Sequence, residues 1–89
     1  MANGTKIAMY AEAQKLSNDN GFIANVILTQ HSNPTAKLRG LVKLLKEGHE
    51  VRTGQFSIDT LVIDGRVYGW EVLESPVLVS RWHDLAPVA

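Results

Sequence analysis

Cysteine is absent from the 89 residues, which removes disulfides, thiol nucleophiles and thiolate metal ligands from the chain's own chemistry. Long apolar runs are missing too, since every hydrophobic stretch breaks within a few residues, too soon to span a bilayer. The first residues, Met1-Ala2-Asn3-Gly4-Thr5-Lys6, show neither the basic start nor the apolar centre of a signal peptide. No membrane association and a cytoplasmic setting are therefore expected. Neither charge dominates: nine basic and nine acidic residues give a net charge of zero, whereas a dedicated nucleic-acid binder usually carries a basic excess. Phosphate-cradling patterns such as Gly-x-x-x-x-Gly-Lys or Gly-x-Gly-x-x-Gly are absent, as is Gly-x-Ser-x-Gly. His31, His49 and His83 lie in separate contexts, without the short spacing that brings two imidazoles to one metal. They read as surface or capping residues, His49 near the negative end of a helix. No enzymatic activity, cofactor or metal site is expected.

What remains, 45% hydrophobic and 20% charged residues, suits one small globular domain over 1–89. Its charges are unevenly spread. Between Lys37 and Arg52, five basic residues outnumber Glu47 and Glu50 by three. From Thr53 onward Arg66 and Arg81 face Asp59, Asp64, Glu71, Glu74 and Asp84, a deficit of three. Thr5 to Ser17 predicts a helix from its good helix formers, with Met9, Ala13 and Leu16 on one stripe. Ser17-Asn18-Asp19-Asn20-Gly21 predicts a loop. Asn33-Pro34 opens a second helix, since Asn caps and Pro is preset for the first helical position. Leu38, Leu41, Val42 and Leu45 give it an apolar stripe, and Gly48 ends it. Gly40 within it costs about 1 kcal/mol relative to Ala, which suggests either close approach of another backbone or a simple imperfection.

Phe22–Gln30 reads two ways. Its length and its β-branched residues favour a strand, while Ile23, Val26, Ile27 and Gln30 also form a helical stripe. The strand is the preferred reading. The expected fold is therefore α+β: two helices plus a small antiparallel sheet built on a 56–73 hairpin, with 22–30 as an additional strand and Val77–Trp82 as another. The tail from His83 to Ala89 is expected to fray.

The hairpin is the clearest local signal. Asp64-Gly65 between two runs of β-branched and aromatic residues predicts a two-residue turn with positive φ at both positions. That turn pairs Ile63 with Arg66, Val62 with Val67 and Leu61 with Tyr68. One face then carries Phe56, Ile58, Val62, Val67 and Leu73, which look like a core face. The other carries Leu61, Tyr68, Trp70 and Val72 among polar neighbours. Either another element covers this second face, the 5–17 helix or the tail with Trp82, or its aromatics stay exposed as an interaction patch.

Two functions follow as expectations. The first is a small non-enzymatic adaptor, inhibitor or regulator that binds a protein partner, or a second copy of itself, through Leu61, Arg66, Tyr68 and Trp70. The second rests on Arg39, Lys43 and Lys46, whose spacing makes a basic stripe beside the apolar one. If 22–30 were helical, it would, with the 33–47 helix and the hairpin, resemble a winged helix-turn-helix. The hairpin would then be the wing, with Arg66 at its tip, and the stripe would meet nucleic-acid phosphates.

Overall fold

A computed structural model describes residues 2–54, 60–74 and 86–87. It shows an α+β arrangement of three helices and a small antiparallel sheet. The helices are α1 (Ala2–Leu16), α2 (Phe22–Gln30) and α3 (Pro34–Lys46). The sheet follows, with β1 (Val51–Thr53), β2 (Thr60–Ile63), β3 (Arg66–Gly69) and the two-residue β4 (Ala86–Pro87). The strands lie in chain order, each antiparallel to its neighbour. A 3-10 turn, Trp70–Glu74, continues directly from β3.

Residues 22–30 form a helix, which corrects the strand expected there. Ile23, Ala24, Val26 and Ile27 are buried together along one helical face. A strand would send Ile23 and Ile27 to one side and Ala24 and Val26 to the other. Burying all four against α1 and α3 outweighs the β preference of Ile and Val, a weak prior beside tertiary packing. The entry is local: Asn20 and Gly21 take left-handed backbone conformations, and Gly21 is pressed against the Gln14 side chain of α1. At the far end the His31 N–H still bonds to the Ile27 carbonyl before the chain extends.

The other two helices follow their sequence signals, except that α1 begins at Ala2, ahead of Thr5, and Asn33 precedes α3 without a capping hydrogen bond from its side chain. α1 buries Ala13 and half-buries Met9, while Leu16 is more exposed than its stripe implies. α3 starts at Pro34 and buries Leu38, Leu41, Val42 and Leu44, with Leu45 packed at the margin. Gly48 takes a left-handed conformation after the helix, and the N–H groups of Gly48 and His49 return to the Leu45 and Leu44 carbonyls. That is the C-terminal closure its position implied. Gly40 marks a close backbone approach: a Cβ there would run into the carbonyl of Leu73 in the 3-10 turn.

The hairpin register is as expected, pair by pair, from Ile63 with Arg66 to Thr60 with Gly69. Asp64 and Gly65 have φ of 52° and 85°, the positive values the two-residue turn needs. Its boundaries and its facing are corrected. The second strand stops at Gly69, because Trp70 to Glu74 coil into the 3-10 turn. The face that looks inward is that of Leu61 and Ile63, while Val62 and Val67 are only half-buried. Phe56, Ile58 and the expected strand at 77–82 lie outside the described residues. Leu73 does enter the core, from the 3-10 turn and not from a strand. One hydrophobic cluster joins α1, α2, α3, β1, β2 and the 3-10 turn.

Candidate functional site

α3 is held on two sides, and this decides which of its residues face out. Leu38, Leu41 and Val42 turn into the helical layer, and Gly40 sits on the Leu73 carbonyl. Lys37, almost buried, forms an ion pair with Glu74 at the end of the 3-10 turn. At 100° per residue the direction left over carries Thr35, Ala36, Arg39, Lys43 and Lys46. Arg39, Lys43 and Lys46 are exposed, as their spacing implied, while Thr35 and Ala36 are half-buried beside the exposed Asn33. Together with α1 this face borders an open groove of about 400 Å³, lined by Met9, Glu12, Arg39, Val42, Lys43 and Lys46, with Glu47 at its end.

The groove is not uniformly basic. Lys43 Nζ lies 3.0 Å from Glu47 one helical turn on, and Lys46 Nζ lies 2.8 Å from Glu12 of α1. Arg39 has no carboxylate partner among the described residues. The Glu47 pair is readable from its i, i+4 spacing. The Glu12 pair depends on how α1 crosses α3, and no local signal announces it.

The proposed partner-binding residues of the hairpin are divided by the fold. Leu61 is completely buried and Trp70 is 5% exposed. Neither can anchor a partner at the surface, because both are covered. Trp70 has His31 of the α2–α3 connection against it, where the sequence suggested the 5–17 helix or the tail, and Trp82 lies outside the described residues. The cause is the 3-10 turn, which carries Trp70 off the strand and under the α2–α3 connection. There its ring meets His31 at a centroid distance of 4.4 Å and an interplanar angle of 51°. His31 is held below its ordinary pKa, first by burial and then by the nearby Lys37 charge, with Glu74 opposing. Tyr68 stays half-buried and Arg66 exposed.

Arg66 belongs to the end of the sheet beside the last turn of α3. The Asp64 carboxylate accepts a hydrogen bond from His49 Nδ1–H at 2.6 Å and another from the Glu50 N–H at 3.0 Å. An ionised carboxylate only accepts, so Nδ1 of His49 carries the proton. These bonds lower the pKa of Asp64. The Asp64 N–H in turn donates to the Glu50 carbonyl. The opposite end of the sheet, where Thr60 faces Gly69 and the chain turns into Trp70, lies along the first half of α3 through the His31, Lys37 and Gly40 contacts. The Asp64-Gly65 turn, with Arg66 beside it, therefore lies toward the end of α3 and away from its start.

Among the described residues no three His, Asp or Glu side chains gather as metal ligands. No helix among them is long and apolar enough to cross a membrane. Comparison with known protein families, with curated proteins and with solved structures finds no match to this chain.

Proposed function

We propose that this protein binds duplex DNA through the outward face of α3, with α2 bracing it from behind. The observation that carries this reading is that residues 22–30 are helical and reach α3 through a connection of three residues, His31 to Asn33. Two packed helices joined by so short a turn suit a helix-turn-helix arrangement, in which the second helix enters the major groove with its first turns at the base edges. Here those turns carry Asn33, Thr35 and Ala36, followed by Arg39, Lys43 and Lys46. Arg39 presents a guanidinium fork suited to a guanine edge or a phosphate. Lys43 and Lys46, further along, suit the phosphate backbone. Duplex RNA fits less well, because the A-form major groove is too deep and narrow to admit a helix.

Fluorescence anisotropy with a labelled random-sequence DNA duplex at low ionic strength tests this. Wild type is expected to bind, with affinity falling as salt rises. The variant carrying Arg39→Ala, Lys43→Ala and Lys46→Ala is expected to lose binding while keeping its helical circular dichroism. Binding unchanged in that variant, or none by wild type at low salt, sinks the reading.

A second reading, docking of a protein partner, keeps from the hairpin the exposed Arg66 and the half-buried Tyr68. Phe22, 56% exposed at the start of α2, also supports it. A folded Tyr68→Ala, Phe22→Ala variant that pulls down the same proteins as wild type from the native host would remove it.

A further inference from the structure

We infer that Glu12 and Glu47 are built-in competitors for the DNA-binding face of α3, occupying Lys43 and Lys46 until phosphates displace them. The inference rests on the duplex-DNA reading above and deepens it, because it says how that surface is regulated. Glu12 and Glu47 come from different parts of the chain, one from α1 and one from the residue after α3, yet they converge on neighbouring lysines of one stripe. All four side chains keep substantial exposure, 49% and 44% for Lys43 and Glu47 and 58% and 36% for Lys46 and Glu12. Pairs this open to solvent are weak and exchange readily. They line the same groove as Arg39, whose guanidinium has no carboxylate partner among the described residues. First contact with a polyanion therefore falls to Arg39.

A phosphate drawn to Lys43 or Lys46 must take the ammonium over from a carboxylate. The displaced carboxylate stays in the groove and repels the phosphate that replaced it. Such a lysine neutralises little net phosphate charge and so releases few of the counterions condensed on the duplex. Three free cations would give a salt dependence of log K with a slope of about −2.7, at roughly 0.9 per phosphate, whereas Arg39 alone would give about −0.9.

The experiment compares wild type with Glu12→Gln, Glu47→Gln and their combination, titrated against the same labelled duplex over a range of salt concentrations. Gln keeps the shape of each side chain and removes its charge. Each substitution is expected to tighten binding roughly two- to fivefold, the scale of an exposed ion pair. In the double variant the slope is expected to steepen from about −0.9 toward about −2.7. Glu50→Gln is the control, since Glu50 pairs with Arg52 outside the groove and its loss changes net charge equally. If Glu50→Gln tightens binding as much as the groove variants, competition is overturned in favour of a general charge effect. A wild-type slope already near −2.7 and unchanged in the double variant also overturns it, and leaves the reading of α3 intact. If wild type does not bind the duplex at low salt, the DNA reading falls and the competition falls with it.

Discussion

Gly40 in the middle of α3 packs directly on the backbone carbonyl of Leu73, and a Cβ at position 40 would overlap that oxygen. At an ordinary exposed helix position Gly→Ala stabilises by about 1 kcal/mol. Here the sign reverses, because a backbone carbonyl cannot swing aside as a side-chain tip can. Gly40→Ala is expected to destabilise by about 3 kcal/mol, the upper end of overpacking costs. Urea denaturation followed by circular dichroism measures it. A variant as stable as wild type would show that α3 and the 3-10 turn are not in contact.

Trp70 separates a core role from a surface role. Trp70→Ala removes a buried ring from beneath the α2–α3 connection and is expected to cost about 3–5 kcal/mol. That is a large share of the about 5–15 kcal/mol that holds a domain folded, so the urea midpoint should fall markedly. Trp70→Phe, which keeps a ring in place, should remain folded. An unchanged urea midpoint for Trp70→Ala would return this residue to the surface.

His31 reports on the same corner through its titration. Burial and Lys37 lower its pKa, while Glu74 acts in the opposite direction. A base with a lowered folded pKa takes its proton more readily when the chain is unfolded. Its contribution to stability is whole above the ordinary value of 6.5 and is lost as pH falls toward the folded value. Imidazole titration by NMR should place His31 below 6.5 in wild type. It should move up in Lys37→Met and further down in Glu74→Gln. No response to either substitution would contradict the geometry of the Lys37–Glu74 pair.

Asp64 behaves in the complementary way. The hydrogen bonds from His49 and from the Glu50 N–H lower its pKa from 3.8. The carboxylate's contribution is thus present above that ordinary value and disappears as pH falls through the folded one. Asp64→Asn is a clean comparison, because Asn-Gly is as good a two-residue turn as Asp-Gly. Wild type should be the more stable protein near neutral pH, by a small margin because the side chain is half exposed. The margin should close below about pH 4. A difference between the two proteins that does not vary with pH would mean the charge of Asp64 contributes nothing.

Legibility in the sequence followed the range of the interactions. The turn at Asp64-Gly65 is local chemistry, and so its strand pairing could be read residue by residue, as could the start of α3 at Pro34 and its end near Gly48. Facing was not local. Both sides of the hairpin carry comparable apolar residues, and the inward side is chosen by the 3-10 turn that sends Trp70 and Leu73 against α3. Residues 22–30 were ambiguous because Ile23, Val26 and Ile27 satisfy both periodicities, and the packing of α1 and α3 decides between them. The basic stripe on α3 was legible from spacing alone. Its partial neutralisation was not, since Glu12 stands 34 residues before Lys46 in the chain.

The pairing of β3 with β4 has a consequence for handling the protein. Arg66 and Val67 lie opposite Pro87 and Ala86, so two residues near the carboxyl end occupy part of the backbone edge that β3 would otherwise offer to solvent. An open strand edge is a template for another chain. A truncated form ending before Ala86 would lack this pairing beside Arg66 and Val67, and self-association through that edge would be easily mistaken for a native dimer.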